Sequence, residues 1–155
     1  NADFVVIPHQ WDYRIVGESV HDSFRPAYIG RKFNLNEELN IPMITEDDEQ
    51  LSALPRYNCH VSQRGWKDSF LLKPATKVSA ASAVGSPIVT SKDPSSFELL
   101  GAEYPFYAES TIFDALYKAR KAFGTSAWDD ARAIMALVKE RTSLDAISKL
   151  YEVFR

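Results

Sequence analysis

The sequence predicts an α/β fold with a mainly parallel sheet, helices on both of its faces and a helical C-terminal section. Three observations carry that expectation. Short apolar runs alternate with turn residues through the first half of the chain. Residues 73–91 read as a helix and then a strand, directly after the candidate strand Cys59–Ser62, which makes the strand–helix–strand unit of a parallel sheet. Beyond Tyr107 the periodicity is helical only.

Taken in order, Phe4–Ile7 reads as a buried strand closed by Pro8, and Ala27–Ile29 as a second strand ended by Gly30-Arg31. Ile41–Thr45 is a third candidate. The acidic run Glu46–Glu49 then opens a helix to about Leu54, because carboxylates in a first turn oppose the positive end of the helix dipole. Cys59–Ser62 follows as a strand. Pro74 then stands at the first position of a helix and Gly85 just past its end, the usual asymmetry of helix termini. The residues between are almost all small, so this helix can approach a sheet closely. Pro87–Thr90 is the next strand, and Phe106-Tyr107 an edge strand. Three amphipathic helices finish the chain. Each opens on a Ser or Thr followed three residues later by Asp, close to a capping box: Thr111/Asp114, Ser126/Asp129 and Thr142/Asp145. Their apolar faces are Ile112, Leu116, Ala119 and Phe123; Trp128, Ala131, Met135 and Val138; and Leu144, Ile147, Tyr151 and Phe154.

Composition narrows the function classes. The chain has 155 residues, the length of one domain, with 45% hydrophobic and 25% charged residues, as in ordinary globular proteins. The net charge of −3 argues against general nucleic-acid binding. Apolar runs such as Phe4–Pro8 fall far short of the ~20 residues of a membrane span. Cys59 is the only cysteine and no Asn-x-Ser/Thr acceptor occurs, so a cytoplasmic location is expected. The chain opens at Asn1 without a methionine or a signal-peptide pattern, as a fragment or trimmed chain would.

Charge distribution gives the first functional lead. Arg56, Arg64, Lys67, Lys73 and Lys77 stand against the single anion Asp68, a surplus of +4 over 22 residues. This basic stretch runs into the N-terminus of the helix after Pro74, where unpaired N–H groups and the dipole attract anions. Lys73 and Lys77 lie one turn apart there with Thr76 between them, an arrangement suited to a phosphate or diphosphate. A solvated basic face accounts for the charges equally well. Ser95, Ser96 and Glu98 follow the strand Pro87–Thr90, at the carboxyl end where α/β sheets bind ligands. Glu98 there can accept both hydroxyls of a ribose. Alternatively Ser95 caps a short helix from Ser96 to Leu100, and both readings can hold together.

Other motifs are weaker. His9, His21 and His60 are scattered, and no metal-ligand spacing, nucleophile elbow, P-loop or glycine-rich dinucleotide fingerprint occurs. Asp47-Asp48 and Asp129-Asp130 read as solvated helix starts. Trp11, Trp66 and Trp128 read as core or edge residues, although Trp66 in the basic loop could stack on a base or sugar.

Lys73-Pro-Ala-Thr-Lys77, continued by Val-Ser-Ala-Ala-Ser-Ala-Val-Gly-Ser-Pro-Ile-Val-Thr-Ser91 and by Pro94-x-x-x-Glu98, resembles the donor-binding C-terminal domain of GT-B-fold glycosyltransferases. Ala27–Arg31 is similar to the first strand and glycine turn of that domain, and Ser143–Arg155 to its closing helix. The similarity in element order spans residues 27–155, with residue-level specificity confined to 73–98. It implies a Rossmann-like domain that binds a nucleotide-sugar donor. Lys73, Thr76 and Lys77 would hold the diphosphate, Glu98 the ribose, and Arg64 or Gly30-Arg31 the remaining phosphate or sugar contacts. A cationic cluster would stabilise the departing nucleotide, so the resemblance implies neither a metal nor another cofactor.

Many retaining members carry two glutamates eight positions apart around this helix. The corresponding residues here are Leu72 and Ala80, which leaves the donor and the stereochemistry open. The resemblance further implies a missing acceptor-binding half, a sugar or glycolipid acceptor, and a cytoplasmic enzyme that is membrane-peripheral through the missing part. The expected function is donor binding within an enzyme that builds a polysaccharide or glycoconjugate, with the isolated 155 residues inactive alone. The alternatives are a non-catalytic nucleotide- or sugar-phosphate-binding module and a protein-interaction module docked through helices 111–155.

Overall fold

The computed structural model describes residues 8–35, 38–45, 49–64 and 73–153. The expected strand at Phe4–Ile7, the acidic residues 46–48, Trp66, Lys67, Leu72 and Phe154 lie outside the described residues. Among the described residues, five strands form one sheet: β1 (Pro26–Ile29), β2 (Met43–Ile44), β3 (Cys59–Ser62), β4 (Ile88–Ser91) and β5 (Tyr107–Ala108). Their spatial order is β2-β1-β3-β4-β5 and every pairing is parallel. The helices are α1 (Glu49–Ala53), α2 (Thr76–Ala83), α3 (Pro94–Leu100), α4 (Ile112–Ala122), α5 (Ser126–Arg141) and α6 (Leu144–Val153). The fold is therefore α/β and Rossmann-like, with a helical C-terminal section. None of the described helices is long and apolar enough to cross a membrane.

Alternation along β1 shows that both sheet faces are covered. Tyr28 belongs to a core shared with α2, α3, α4 and α5, whereas Ala27 and Ile29 belong to a second core with Ile15, Ile44 and Leu54. Burial runs without alternation along the whole of β3 and through Ile88–Thr90 of β4, so both faces of these strands are covered. Burying each large side chain such as Ile88 contributes about 1.5–3 kcal/mol. An aromatic cluster of Phe24, Phe106, Phe123 and Trp128 ties the residues leading into β1 and β5 to α4 and α5.

The small residues of α2 serve helix packing as well as sheet packing, since α5 lies against this helix. Ser79 and Ser82 are buried without cost because their hydroxyls donate to the carbonyls of His9 and Ser79. β4 outruns its neighbour β5, and Tyr104 completes its edge. The Ile88 N–H donates to Tyr104 Oη at 2.7 Å, and that hydroxyl donates to the Ile88 carbonyl at 2.8 Å.

Several expectations are corrected. β2 is two residues long, not five, and β5 is Tyr107–Ala108 rather than Phe106-Tyr107, although it is an edge strand as expected. α2 starts at Thr76, because Ala75 has a non-helical ψ of 55°. α3 is capped by Asp93, whose carboxylate accepts from Ser96 N–H, so Ser95 lies inside the helix. Thr111 caps α4 by accepting from Asp114 N–H. The other two caps shift. Thr125 precedes α5 and turns its hydroxyl back to the Ala122 carbonyl, while Ser143, not Thr142, accepts from Ala146 N–H at the start of α6. The Thr142 hydroxyl is buried and donates to the Val138 carbonyl one turn back. All four expected residues of α5 are buried, but among the described residues of α6 only Ile147 is, with Leu144 and Tyr151 more than half exposed.

Candidate functional site

Strand order decides where a site can form. The chain leaves β1 toward β2 on one side and leaves β3 toward β4 on the other. The connections therefore diverge beyond the carboxyl ends of β1 and β3, and a crevice opens between them, the position at which open α/β sheets hold ligands. A cleft of about 160 Å³ occupies this point. Its walls are Ile29, Gly30, Arg31 and Asn34 after β1, Ser62, Gln63 and Arg64 at the end of β3, and Lys73, Pro74, Thr76 and Lys77 at the entry to α2, with Tyr28 also contributing.

Six of the residues expected from sequence thus meet in one place: Gly30, Arg31, Arg64, Lys73, Thr76 and Lys77. Four carry positive charge, and none of the described lining residues is a carboxylate or an imidazole. The cleft also lies at the positive end of α2, so the helix dipole and the side chains favour the same kind of ligand, an anion.

Arg64 does more than supply charge. Its Nη1 donates to the Lys73 carbonyl at 2.6 Å, and its Nη2 donates to the Pro74 carbonyl. The same Nη1 lies 3.3 Å from Asp93 Oδ1, and both side chains are largely shielded from solvent. One planar guanidinium therefore binds the end of β3 to the loop entering α2 and to the cap of α3. Lysine, with a point charge, cannot reproduce that fork.

Gly30 lets the backbone turn away from β1 at the cleft. Its φ is +141°, and a Cβ there would lie 3.2 Å from Tyr28 Oη. Tyr28 itself is held in the protonated form, because burial raises its pKa more than the Gln63 backbone lowers it. Its hydroxyl remains a neutral polar group on the cleft wall.

The second group of expected residues is placed differently. Ser95 reaches the entry loop, where its hydroxyl donates to the Lys73 carbonyl at 2.7 Å. Ser96 is buried and committed to the α3 cap, its Oγ donating to Asp93 Oδ2 at 2.8 Å. Glu98 is exposed on α3. The lining of the cleft includes none of the three.

Tyr28, Asn34, Ser62 and Gln63 line the cleft but were not singled out from the sequence. Their signal is positional. They sit at or just past the carboxyl ends of β1 and β3, and only the strand order reveals that those two ends are adjacent.

His60 lies in the middle of β3 and is fully buried. Its Nδ1 is 2.7 Å from Ser86 Oγ, whose hydroxyl can in turn donate to the Pro87 carbonyl at 3.1 Å. Nε2 has no hydrogen-bond partner among the described residues; the Leu54 backbone nearby opposes the effect of burial only weakly. Burial lowers the pKa to about 3, so the ring is neutral and structural. Neighbouring Cys59 is buried too, and burial pushes its thiol well above the ordinary range, which makes it unreactive.

No protein-family model matches the chain, and no curated protein sequence does.

Proposed function

We propose that the chain is the donor-binding part of a glycosyltransferase, and that it holds the diphosphate of a nucleotide sugar in the cleft between β1 and β3. One observation carries the reading: Arg31, Arg64, Lys73 and Lys77 converge with the N-terminus of α2 at the point where the sheet connections diverge. Lys73, Lys77 and Arg31 supply charge to the phosphate oxygens, and Thr76 supplies a hydroxyl. Gly30 admits the ligand close to the backbone, and Arg64 fixes the loop that carries Lys73. As the bond from the sugar to the phosphate breaks, negative charge grows on the departing nucleotide. Cations already in place stabilise that charge without reorganising.

A second reading is favoured by the absence of a carboxylate or imidazole among the described lining residues. No such group there can take a proton from an acceptor hydroxyl, so a non-catalytic nucleotide- or sugar-phosphate-binding module fits the same cleft. Calorimetric titration with UDP, GDP, ADP, CDP and CMP tests both. Binding of one diphosphate, with its sugar conjugate bound more tightly still, supports the donor site of a transferase; binding to which the attached sugar adds nothing supports the module. No binding of any nucleotide removes both.

A further inference from the structure

A second cleft, of about 150 Å³, opens on another side of the α2 N-terminus. It shares Thr76 and Lys77 with the basic cleft, so the two adjoin along the first turn of α2. Their chemistry differs. The second cleft has an apolar floor that includes Ile15, Leu51, Leu54 and Ala80, and a rim that includes Gln10, Trp11 and Asp12. Asp12 is ionised, since its hydrogen bonds with Arg14 lower its pKa to about 2, and a phosphate is better placed next door.

The outer wall is fixed in advance. Ser79 Oγ donates to the His9 carbonyl at 2.8 Å, Trp11 N–H donates to the Thr142 carbonyl at 3.1 Å, and Trp11 Nε1 donates to the Lys139 carbonyl at 3.2 Å. Three bonds to α2, α5 and the residue after α5 hold residues 9–11 across the cleft, so little ordering is needed when a ligand enters. An apolar floor with a few oriented polar groups is the usual make-up of a small-molecule site.

We infer that this second cleft receives the sugar ring attached to the phosphate held in the basic cleft, which makes the ligand a sugar-phosphate ester that spans Thr76 and Lys77. The inference rests on the anion reading of the basic cleft and adds where the uncharged part goes. A ring with apolar faces and hydroxyl edges matches an apolar floor and indole with an amide and a carboxylate at the rim. Ribose of a nucleotide and the hexose of a donor share that chemistry.

The test is calorimetric titration of the full chain with inorganic phosphate, ribose 5-phosphate and glucose 1-phosphate. It compares the wild type with Ala80→Leu, which fills the second cleft alone, and with Gln10→Ala, which leaves the floor intact. The wild type is expected to bind one ester at least about tenfold more tightly than inorganic phosphate. Each variant should lose most of that advantage while its affinity for inorganic phosphate stays within about twofold. The favoured ester names the ring. Binding of inorganic phosphate with no gain for either ester, or a gain untouched by both variants, overturns this inference and leaves the basic cleft standing. No binding of phosphate or ester overturns both.

Discussion

Arg64 Nη1 donates to the main-chain carbonyl of Lys73 at 2.6 Å, across the mouth of the cleft between β1 and β3. The contact links a cation at the end of one strand to the backbone of another cation at the entry of the next helix. Asp93 receives the same guanidinium from the α3 side. The cleft is thus built on a shared fork, and one residue supplies that fork together with one of the four positive charges.

That dependence separates two roles for Arg64. If it acts by positioning the loop, Arg64→Lys keeps the charge yet loses the fork, and affinity for pyrophosphate should fall nearly as far as in Arg64→Ala. Stability should drop by about 1–2 kcal/mol in both, the scale of hydrogen bonds to a charged group in a partly exposed setting. Titration calorimetry with denaturant unfolding measures both quantities. Full rescue by lysine would reduce Arg64 to a point charge.

Lys73 is exposed at the cleft, where truncating a surface side chain changes stability by about 0.5 kcal/mol or less. Lys73→Ala should weaken pyrophosphate binding by roughly 1.5–3 kcal/mol and leave the unfolding midpoint within experimental scatter. Unchanged affinity would remove Lys73 from the site.

Because the cleft gathers four cations, phosphate charge can be neutralised by side chains alone. Binding of UDP or pyrophosphate should therefore survive excess EDTA. A chelator that abolished binding would show that a divalent ion bridges ligand and protein.

Gly30→Ala places a methyl 3.2 Å from Tyr28 Oη and forces a side chain onto a φ of +141°. The expected cost is about 1–3 kcal/mol of stability. Tyr28→Phe in the same chain should recover only part, since the ring carbon Cε1 stays 3.3 Å from the new atom. Chemical denaturation of the single and double variants checks this. A silent Gly30→Ala would mean that β1 can relax away from Tyr28.

His60 sets an acid limit. Its folded pKa is lowered to about 3, below the ordinary value near 6.5, so the unfolded chain binds the proton first. The stability it allows is full above the unfolded pKa and declines as pH falls from there toward the folded value. The loss between pH 7 and pH 5 should be about 2 kcal/mol. His60→Asn should flatten that part of the stability–pH curve, read from urea midpoints at each pH; an equally steep curve would contradict the assignment.

The sequence made the framework legible where periodicity and local chemistry agree. Trp128, Ala131, Met135 and Val138 follow the helical repeat and all are buried. Gly85 ends α2 with a φ of +69°, as its place after a run of helix formers implies. The caps slipped by one residue at Ser143 and by two at Asp93 because neighbouring Ser, Thr and Asp offer the same oxygen, and tertiary packing chooses between them. In α6, Leu144 and Tyr151 obey the repeat yet remain exposed, since a pattern records what a helix can bury and not whether a surface is there to receive it.

Six site residues were legible because they flank a helix start or a strand end. Asn34, Ser62 and Gln63 were not, because parallel neighbours are distant in sequence. The link from Arg64 to Asp93, and the strap of residues 9–11 over α2, are tertiary facts with no local pattern to announce them.

The most direct test of the basic cleft is thermal unfolding of the chain at constant ionic strength, with and without UDP and pyrophosphate, in the wild type and in Lys73→Ala. A ligand at 100 times its Kd adds about 2.7 kcal/mol, which for a chain of this size raises Tm by roughly 5–10 °C. The account predicts that shift in the wild type and a much smaller one in Lys73→Ala at the same concentration. No shift with either ligand, or equal shifts in both proteins, would contradict it.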